Sequence, residues 1–308
     1  MRFEKTTIAA ALAAFLAPAA WATNGMNMEG YGPVATGMGG ASYAYDNGTA
    51  GLINNPATLG LMKSGTSRLD VAIGGLHPDV TTKMAGMPNA DSGGNAYYMP
   101  AIGYVRKDGK LTWGAGMMAQ GGMGTEYGKT SFLSSGLSMM GTPYMSGQEN
   151  RSELGIGRVM VPLAYDVTDT LRIGGTVDYL WGGLDLQMVM SGQMFGAFTA
   201  GTSPLGSATG TMVTTLGGFM GGGFITDVGW AQFDFSEGSN GMKQKLKTDG
   251  WAGNLGFVWQ ATPKLSIGGV YHAKTSLGDM EGRGTLKMNA TGPMLGGTAT
   301  IAITGKLK

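Results

Sequence analysis

The sequence predicts an all-β protein, an antiparallel β-barrel that crosses a membrane. Three observations lead there. Apolar and polar residues alternate singly over several ten-residue stretches, with aromatic residues at their ends. Glycine makes up 57 of 308 residues and only 13% are charged, about half the usual charged share. Downstream of Ala22 no apolar run reaches the eighteen or so residues of a membrane helix. So little charge makes a poor soluble surface. Barrel strands reconcile the three, because one face meets lipid and the other the lumen. A soluble β-sandwich would alternate too, but aromatic strand ends, pervasive glycine and scarce charge favour the barrel.

Residues 1–22 read as a cleaved secretory signal peptide. Arg2 and Lys5 make a basic start, Thr7 to Leu16 an apolar core, and Ala20-Trp21-Ala22 a small-residue cleavage site. The core is too short to span a bilayer and ends at Pro18. Residues 23–62 have neither the helical nor the strand period, yet carry Met26, Met28, Tyr31, Leu52, Ile53 and Leu59. That is too much apolar surface for a solvated tail, so the segment should pack inside something larger. Its sharpest feature is Asn54-Asn55-Pro56-Ala57. Pro56 pushes Asn55 towards an extended backbone, and Asn side chains can satisfy nearby backbone groups.

Residues 63–308 should form the strands and loops. In Leu171–Trp181, Leu171, Ile173, Val177, Tyr179 and Trp181 share one face, and Arg172, Thr176, Asp178 and Leu180 the other. Trp251–Gln260 repeats the pattern, and Leu265–Tyr271 continues it. Leu111, Trp113, Ala115 and Met117 form another such face. Tyr97–Val105 precedes it through the turn Lys107-Asp108-Gly109-Lys110. Leu69–Leu76 is a further strand. Connections alternate: Arg106–Lys110, Asp166–Thr170 and Ala261–Lys264 are short, Gln120–Ser152 and Asp185–Lys247 long. In outer-membrane barrels the long loops face the medium. Here they carry Phe132, Leu133, Leu137, Met139 and Met140, then Met194, Phe195, Phe198, Phe219 and Phe224. Exposed loops this apolar point to binding, and flexible Met suits varied apolar ligands; the alternative is that the loops pack on one another as a cap.

Several motifs together resemble the long-chain fatty acid transporter family of outer membranes, the FadL/TodX group. They are Gly37 to Ala41, Asp46 to Ala50 and Asn55-Pro56-Ala57, with Gly122 to Tyr127, Val161 to Tyr165, Leu171 to Gly175 and Gly269 to Lys274 further on. The likeness runs from Thr23 to about Lys308. It implies that residues 23–62 are a hatch plugging the lumen, held by Asn54, Asn55, Pro56 and Ala57. It also implies passive transport of long-chain fatty acids or aromatic hydrocarbons, with Met26 and Met28 as candidate pocket walls and a sideways exit. The partners would be a hydrophobic small molecule and outer-membrane lipid, for a protein acting as a monomer. There are departures. The family places a proline where Gln120-Gly121 stands. Its barrel has fourteen strands and an aromatic final residue, whereas about eight to ten strands can be counted here. Open barrel edges are not tolerated in lipid, so a longer protein is expected, with a smaller barrel as the alternative.

Little else competes. The absence of Cys excludes disulfides and thiolate chemistry. A net charge of +1 gives no reason to expect nucleic acid. His77 and His272 are the only histidines and stand in no metal-binding spacing. Gly114 to Ala119 imitates a dinucleotide fingerprint without a following helix. No enzyme, cofactor or metal is therefore expected. A structural or adhesive barrel is the alternative function, and a polar porin would want charged rings that are not found. A fatty acid site would need a cation such as Arg151, Arg158 or Arg172, while a hydrocarbon site would need none.

Overall fold

The computed structural model describes residues 28, 30–204, 206–236 and 246–307. Residues 1–22, read above as a signal peptide, and Met26 lie outside these residues. An eleven-stranded antiparallel sheet dominates the fold. Strands β1 (Ser67–Leu76), β2 (Tyr97–Asp108), β3 (Leu111–Tyr127), β4 (Asn150–Asp166) and β5 (Leu171–Ser191) follow one another, each paired with the next. The far edge of β5 is shared between β6 (Asp227–Asp234) and β7 (Leu246–Thr262). β7 carries β8 (Leu265–His272) and β9 (Ser276–Leu277). β6 carries β10 (Gly282–Gly292), which pairs with β11 (Gly297–Leu307). Among the described residues no ladder joins β1 to β8 or β11.

The expected alternation governs burial. Leu69, Val71, Ile73, Ile173, Val177, Leu255 and Phe257 are exposed on the outer face. Val105, Met160 and Val258, on the inner face, are 0% exposed. Trp251 and Trp259 both stand outward on β7, about 26 Å of strand apart at 3.3 Å per residue. That approximates the apolar band of a membrane barrel. Tyr179 meets Trp251 edge-on at 5.4 Å, and Tyr104 meets Trp113 at 6.4 Å. The short turns are as expected, and Gly109 takes the positive φ of 61° that its two-residue hairpin requires.

The long connections are corrected. β3 runs on to Tyr127 and β4 begins at Asn150, so the first spans only residues 128–149. In the second, β5 continues to Ser191, and helices α3 (Gly192–Thr199) and α4 (Thr211–Gly221) lead into β6. Neither β6 nor the end of β5 shows clean alternation, because both faces are covered. The Ser191 side chain caps α3 by accepting from the Met194 N–H at 3.1 Å. Phe195, Leu216, Val228, Leu286 and Met288 build a core between these helices, β6 and β10.

A second core lies against the inner face. There the N-terminal segment folds as α1 (Pro33–Gly37), α2 (Gly51–Asn54) and two 3₁₀ turns, Gly48–Ala50 and Pro56–Leu61. Leu52, Ile53, Leu59 and Met62 pack on Val105, Met118 and Met160. Inward-facing glycines make the fit possible. A Cβ on Gly174 would stand 2.6 Å from the Ala57 nitrogen, and one on Gly268 1.8 Å from the Tyr43 carbonyl oxygen. One on Gly116 would stand 2.6 Å from Leu52. The pervasive glycine is thus partly a docking surface, where backbone approaches backbone.

A Gly256→Val substitution tests that seat, because its Cβ would stand 2.0 Å from Asn55 Oδ1. The variant should insert into membranes but leave the N-terminal segment open to protease, with a raised conductance in planar bilayers. Conductance and protection equal to the parent would refute the seat.

Candidate functional site

The inner face and the segment against it form the candidate site, and Asn55 joins them. Its backbone is extended, at φ −156° and ψ 107°, as a following proline demands. Its Nδ2 donates to the Tyr43 carbonyl at 2.7 Å and to the Phe257 carbonyl of β7 at 3.1 Å. Its Oδ1 accepts from the Ala57 N–H at 3.1 Å. Asn55 is fully buried, so all three bonds form away from water. Asn54 pairs with both backbone groups of Tyr31, at 2.8 and 2.9 Å. The Tyr31 hydroxyl donates to the Gln120 carbonyl of β3. Pro56 and Ala57 lie in the hollow over Gly174.

Charge fixes the segment at two places. Lys107 Nζ and Arg172 Nε both donate to the Gly60 carbonyl. Both also face Asp166, at 2.6 and 3.3 Å. Further up, Arg68 on β1 takes Asp46 in a two-pronged pair at 2.6 and 3.0 Å, and the Thr49 N–H donates to Asp70 at 2.8 Å. The Arg68 hydrogen bonds hold the Asp46 carboxyl below its ordinary range, against the opposing effect of burial. Across β4, β5, β7 and β8 runs another polar band. Arg158 faces Asp178 at 3.3 Å, Asn254 donates to Thr176 at 3.1 Å, and His272 Nδ1 meets Asn254 Oδ1 at 2.7 Å.

Two cavities lie along β1–β4, and the first of them adjoins the segment. The first, about 1130 Å³, lies between it and β1–β3, with Met28, Tyr31, Val34, Ala72 and Ile102 in its lining. The second, about 750 Å³, lies where the wall parts. The β2–β3 ladder runs from Asp108↔Leu111 to Ala101↔Met118 and stops. Pro100, the next residue of β2, has no N–H to offer. On its other edge, β3 shifts register against β4 between Ala119 and Gly121, so Gln120 is a bulge. The second cavity has both inner-face Met99 and Met118 and outer-face Tyr98, Met117 and Trp181 in its lining, so it crosses the sheet.

The structure separates the residues singled out in sequence. Asn54, Asn55, Pro56 and Ala57 come together on the inner face and Met28 lines the first cavity. Phe195 is core, 1% exposed, where an open binding loop was expected, and the half-buried Met139 and Phe198 pack beside it. Phe132 and Leu133 are half-buried in a 3₁₀ turn. Leu137, Met140, Met194, Phe219 and Phe224 are exposed. Neither cavity is lined by any of these loop residues. Sequence reasoning missed Met99 and Met118 as lining residues. Their one signal was a Met on the inward beat of an alternating strand.

Comparison with known proteins agrees. Residues 9–307 match the model of a family described as outer membrane protein transport protein (OMPP1/FadL/TodX). The Pseudomonas putida toluene transporter TodX superposes with a TM-score of 0.75 at 31% identity, over 91% of this chain and 63% of that one. The Ralstonia pickettii toluene transporter TbuX gives 0.71 at 34% identity, over 91% and 64%. An uncharacterized Chlorobium limicola protein, encoded in the 5′ region of a phosphoenolpyruvate carboxykinase gene, is 43% identical over 102 residues. That stretch is 33% of this chain and 49% of the relative. The chain therefore spans less than two thirds of the length of TodX, TbuX and the Chlorobium relative.

Two outcomes test how the segment is held. Asn55→Leu leaves the Tyr43 and Phe257 carbonyls and the Ala57 N–H short of a partner, at about 1–3 kcal/mol. The protein should still insert, with the segment open to protease; full protection would remove Asn55 from this role. The Asp46–Arg68 tether depends on pH. Because the folded carboxyl titrates below its unfolded value, the stabilisation is present at neutral pH and is lost as pH falls through about 4 and below. Both side chains are about a third exposed, so the effect is modest. Protease cleavage near Asp46 should rise in the parent only under acid conditions. In Asp46→Asn it should be raised at neutral pH and flat with pH.

Proposed function

The chain belongs to the OMPP1/FadL/TodX family of outer membrane transport proteins, and on that premise we propose that it passes uncharged hydrophobic molecules, foremost small aromatic hydrocarbons, across the outer membrane. The observation that carries the substrate class is electrostatic. Arg68, Lys107, Arg158 and Arg172 each face a carboxylate within 3.3 Å. Arg151 lines the second cavity and faces Glu153 at 2.8 Å and Asp185 at 3.7 Å. Glu126 adds a further carboxylate to that lining. A fatty acid anion would have to compete for a cation already neutralised, at the cost of leaving its carboxylate partner unpaired. A hydrocarbon makes no such demand. TodX and TbuX, the two similar structures above, are toluene transporters.

The mechanism follows from the site. Residues 1–22 serve as the signal peptide that exports the chain. The exposed loop residues Met140, Met194, Phe219 and Phe224 take up the solute from water. Burying about 150 Å² of a ring favours its capture by ~4 kcal/mol. The solute then enters the cavity beside residues 23–62, which act as a hatch. Asn54, Asn55, Pro56 and Ala57 hold that hatch to the wall. Exit runs through the parting between β2 and β3 into the lipid. The step is downhill and needs neither an energy source, a cofactor nor chemistry, and one monomer suffices for it.

Uptake of labelled toluene and of labelled oleate decides the matter, in cells lacking their own transporter and carrying the full-length gene. Toluene should enter and oleate should not. Oleate entry without toluene would reverse the substrate class. Entry of neither through a correctly inserted barrel would overturn transport and leave a structural or adhesive role.

A further inference from the structure

The two cavities share part of their lining, namely Met99, Met118 and Ala119. Met99 stands on the inner face of β2 and Met118 on that of β3. They are 6% and 4% exposed. Met118 belongs to the last pair of the β2–β3 ladder and Met99 lies just beyond it. Anything moving from the space beside the N-terminal segment into the parting of the wall must therefore pass between these two side chains. Here the chain offers no backbone barrier, since the strands are already unpaired beyond Ala101.

We propose that Met99 and Met118 form the constriction that sets the size of solute able to cross the wall; the inference rests on the transport reading above. The chemistry of the pair fits that role. Methionine is unbranched, with three rotatable side-chain bonds, so it can swing aside without moving the strand. Its sulfur also attracts aromatic ring edges, which suits a single ring in transit. Met99 lies over Gly74 of β1, where a Cβ would stand 3.7 Å from its Cε. With no side chain at Gly74, Met99 has room to turn that way. The N-terminal segment, by contrast, is fixed by Asn54, Asn55 and the Lys107–Arg172 grip on Gly60. Moving two methionine side chains breaks none of those bonds. The ligand class this predicts is the single-ring hydrocarbon, with fused rings held back by the methionine pair.

The test compares labelled naphthalene with labelled toluene in cells carrying the full-length protein, its Met99→Ala and Met118→Ala variants, and Met118→Ile. Uptake is normalised to the inserted, heat-modifiable barrel. Each alanine variant should raise the naphthalene-to-toluene ratio several-fold while toluene still enters. Met118→Ile, stiff at its first side-chain torsion, should slow both solutes. Met118 also packs in the lower core; if its variants fail to insert, Met99→Ala alone decides, because it lies outside that cluster. An unchanged ratio in an alanine variant that still takes up toluene overturns the constriction and leaves transport standing. If the parent protein takes up neither solute, the hydrocarbon reading falls and takes the constriction with it.

Discussion

The constraint on which the structure depends is the satisfaction of backbone polar groups away from water. A sheet facing lipid meets it through its ladders. An irregular segment placed against that sheet cannot, so side chains must complete its hydrogen bonding. Asn55 does this in three directions at once, towards its own turn, towards Tyr43 and towards the Phe257 carbonyl of the wall. Asn54 does the same for Tyr31, and Lys107 and Arg172 for Gly60. The wall answers by withholding side chains at Gly116, Gly174, Gly256 and Gly268. The polar residues of the segment and the glycines of the strands are thus two halves of one requirement.

Charge obeys the same logic. Burying a lone cation is costly unless a carboxylate accompanies it. Each inner-face cation named above has such a partner, and Asp166 serves two of them. The consequence for ligands is a by-product of stability: a wall that has neutralised its own cations has none to offer a carboxylate. The proposed preference for uncharged solutes therefore needs no dedicated filter.

What could be read from sequence followed from which surfaces are one-sided. In Leu171–Trp181 and Trp251–Gln260 one face is exposed and the other covered, so the period of two is plain. In β6, helices cover one face and further chain the other, so Val228, Trp230 and Ala231 are all buried and the period disappears. The same burial turned Phe195 from an apparent loop residue into core, with Phe198 half-buried against it. Asn55-Pro56-Ala57 was legible because proline restricts its neighbour whatever the fold. The docking role of individual glycines was not legible, since a glycine that admits a backbone and one that merely lines a strand look alike in sequence. The cavity-lining role of Met99 and Met118 was hidden for the same reason: it depends on where two ladders end.

That ending links the N-terminal segment to the wall. β3 carries one residue more than its partner at Gln120, and a bulge there both bends the strand and interrupts its pairing. On the other edge of β3 the ladder with β2 has already stopped, beside Pro100. The Gln120 carbonyl accepts the Tyr31 hydroxyl, while Tyr31 is held through its backbone by Asn54. A continuous chain of contacts therefore runs from the Phe257 carbonyl of β7, through Asn55, Asn54 and Tyr31, to the bulge on β3. The irregular segment fills the inner face and also buttresses the place where the wall is open. Loosening it at Asn54 would reach the β3 bulge through two hydrogen bonds to Tyr31 and one from it, a short enough path for segment and opening to respond together.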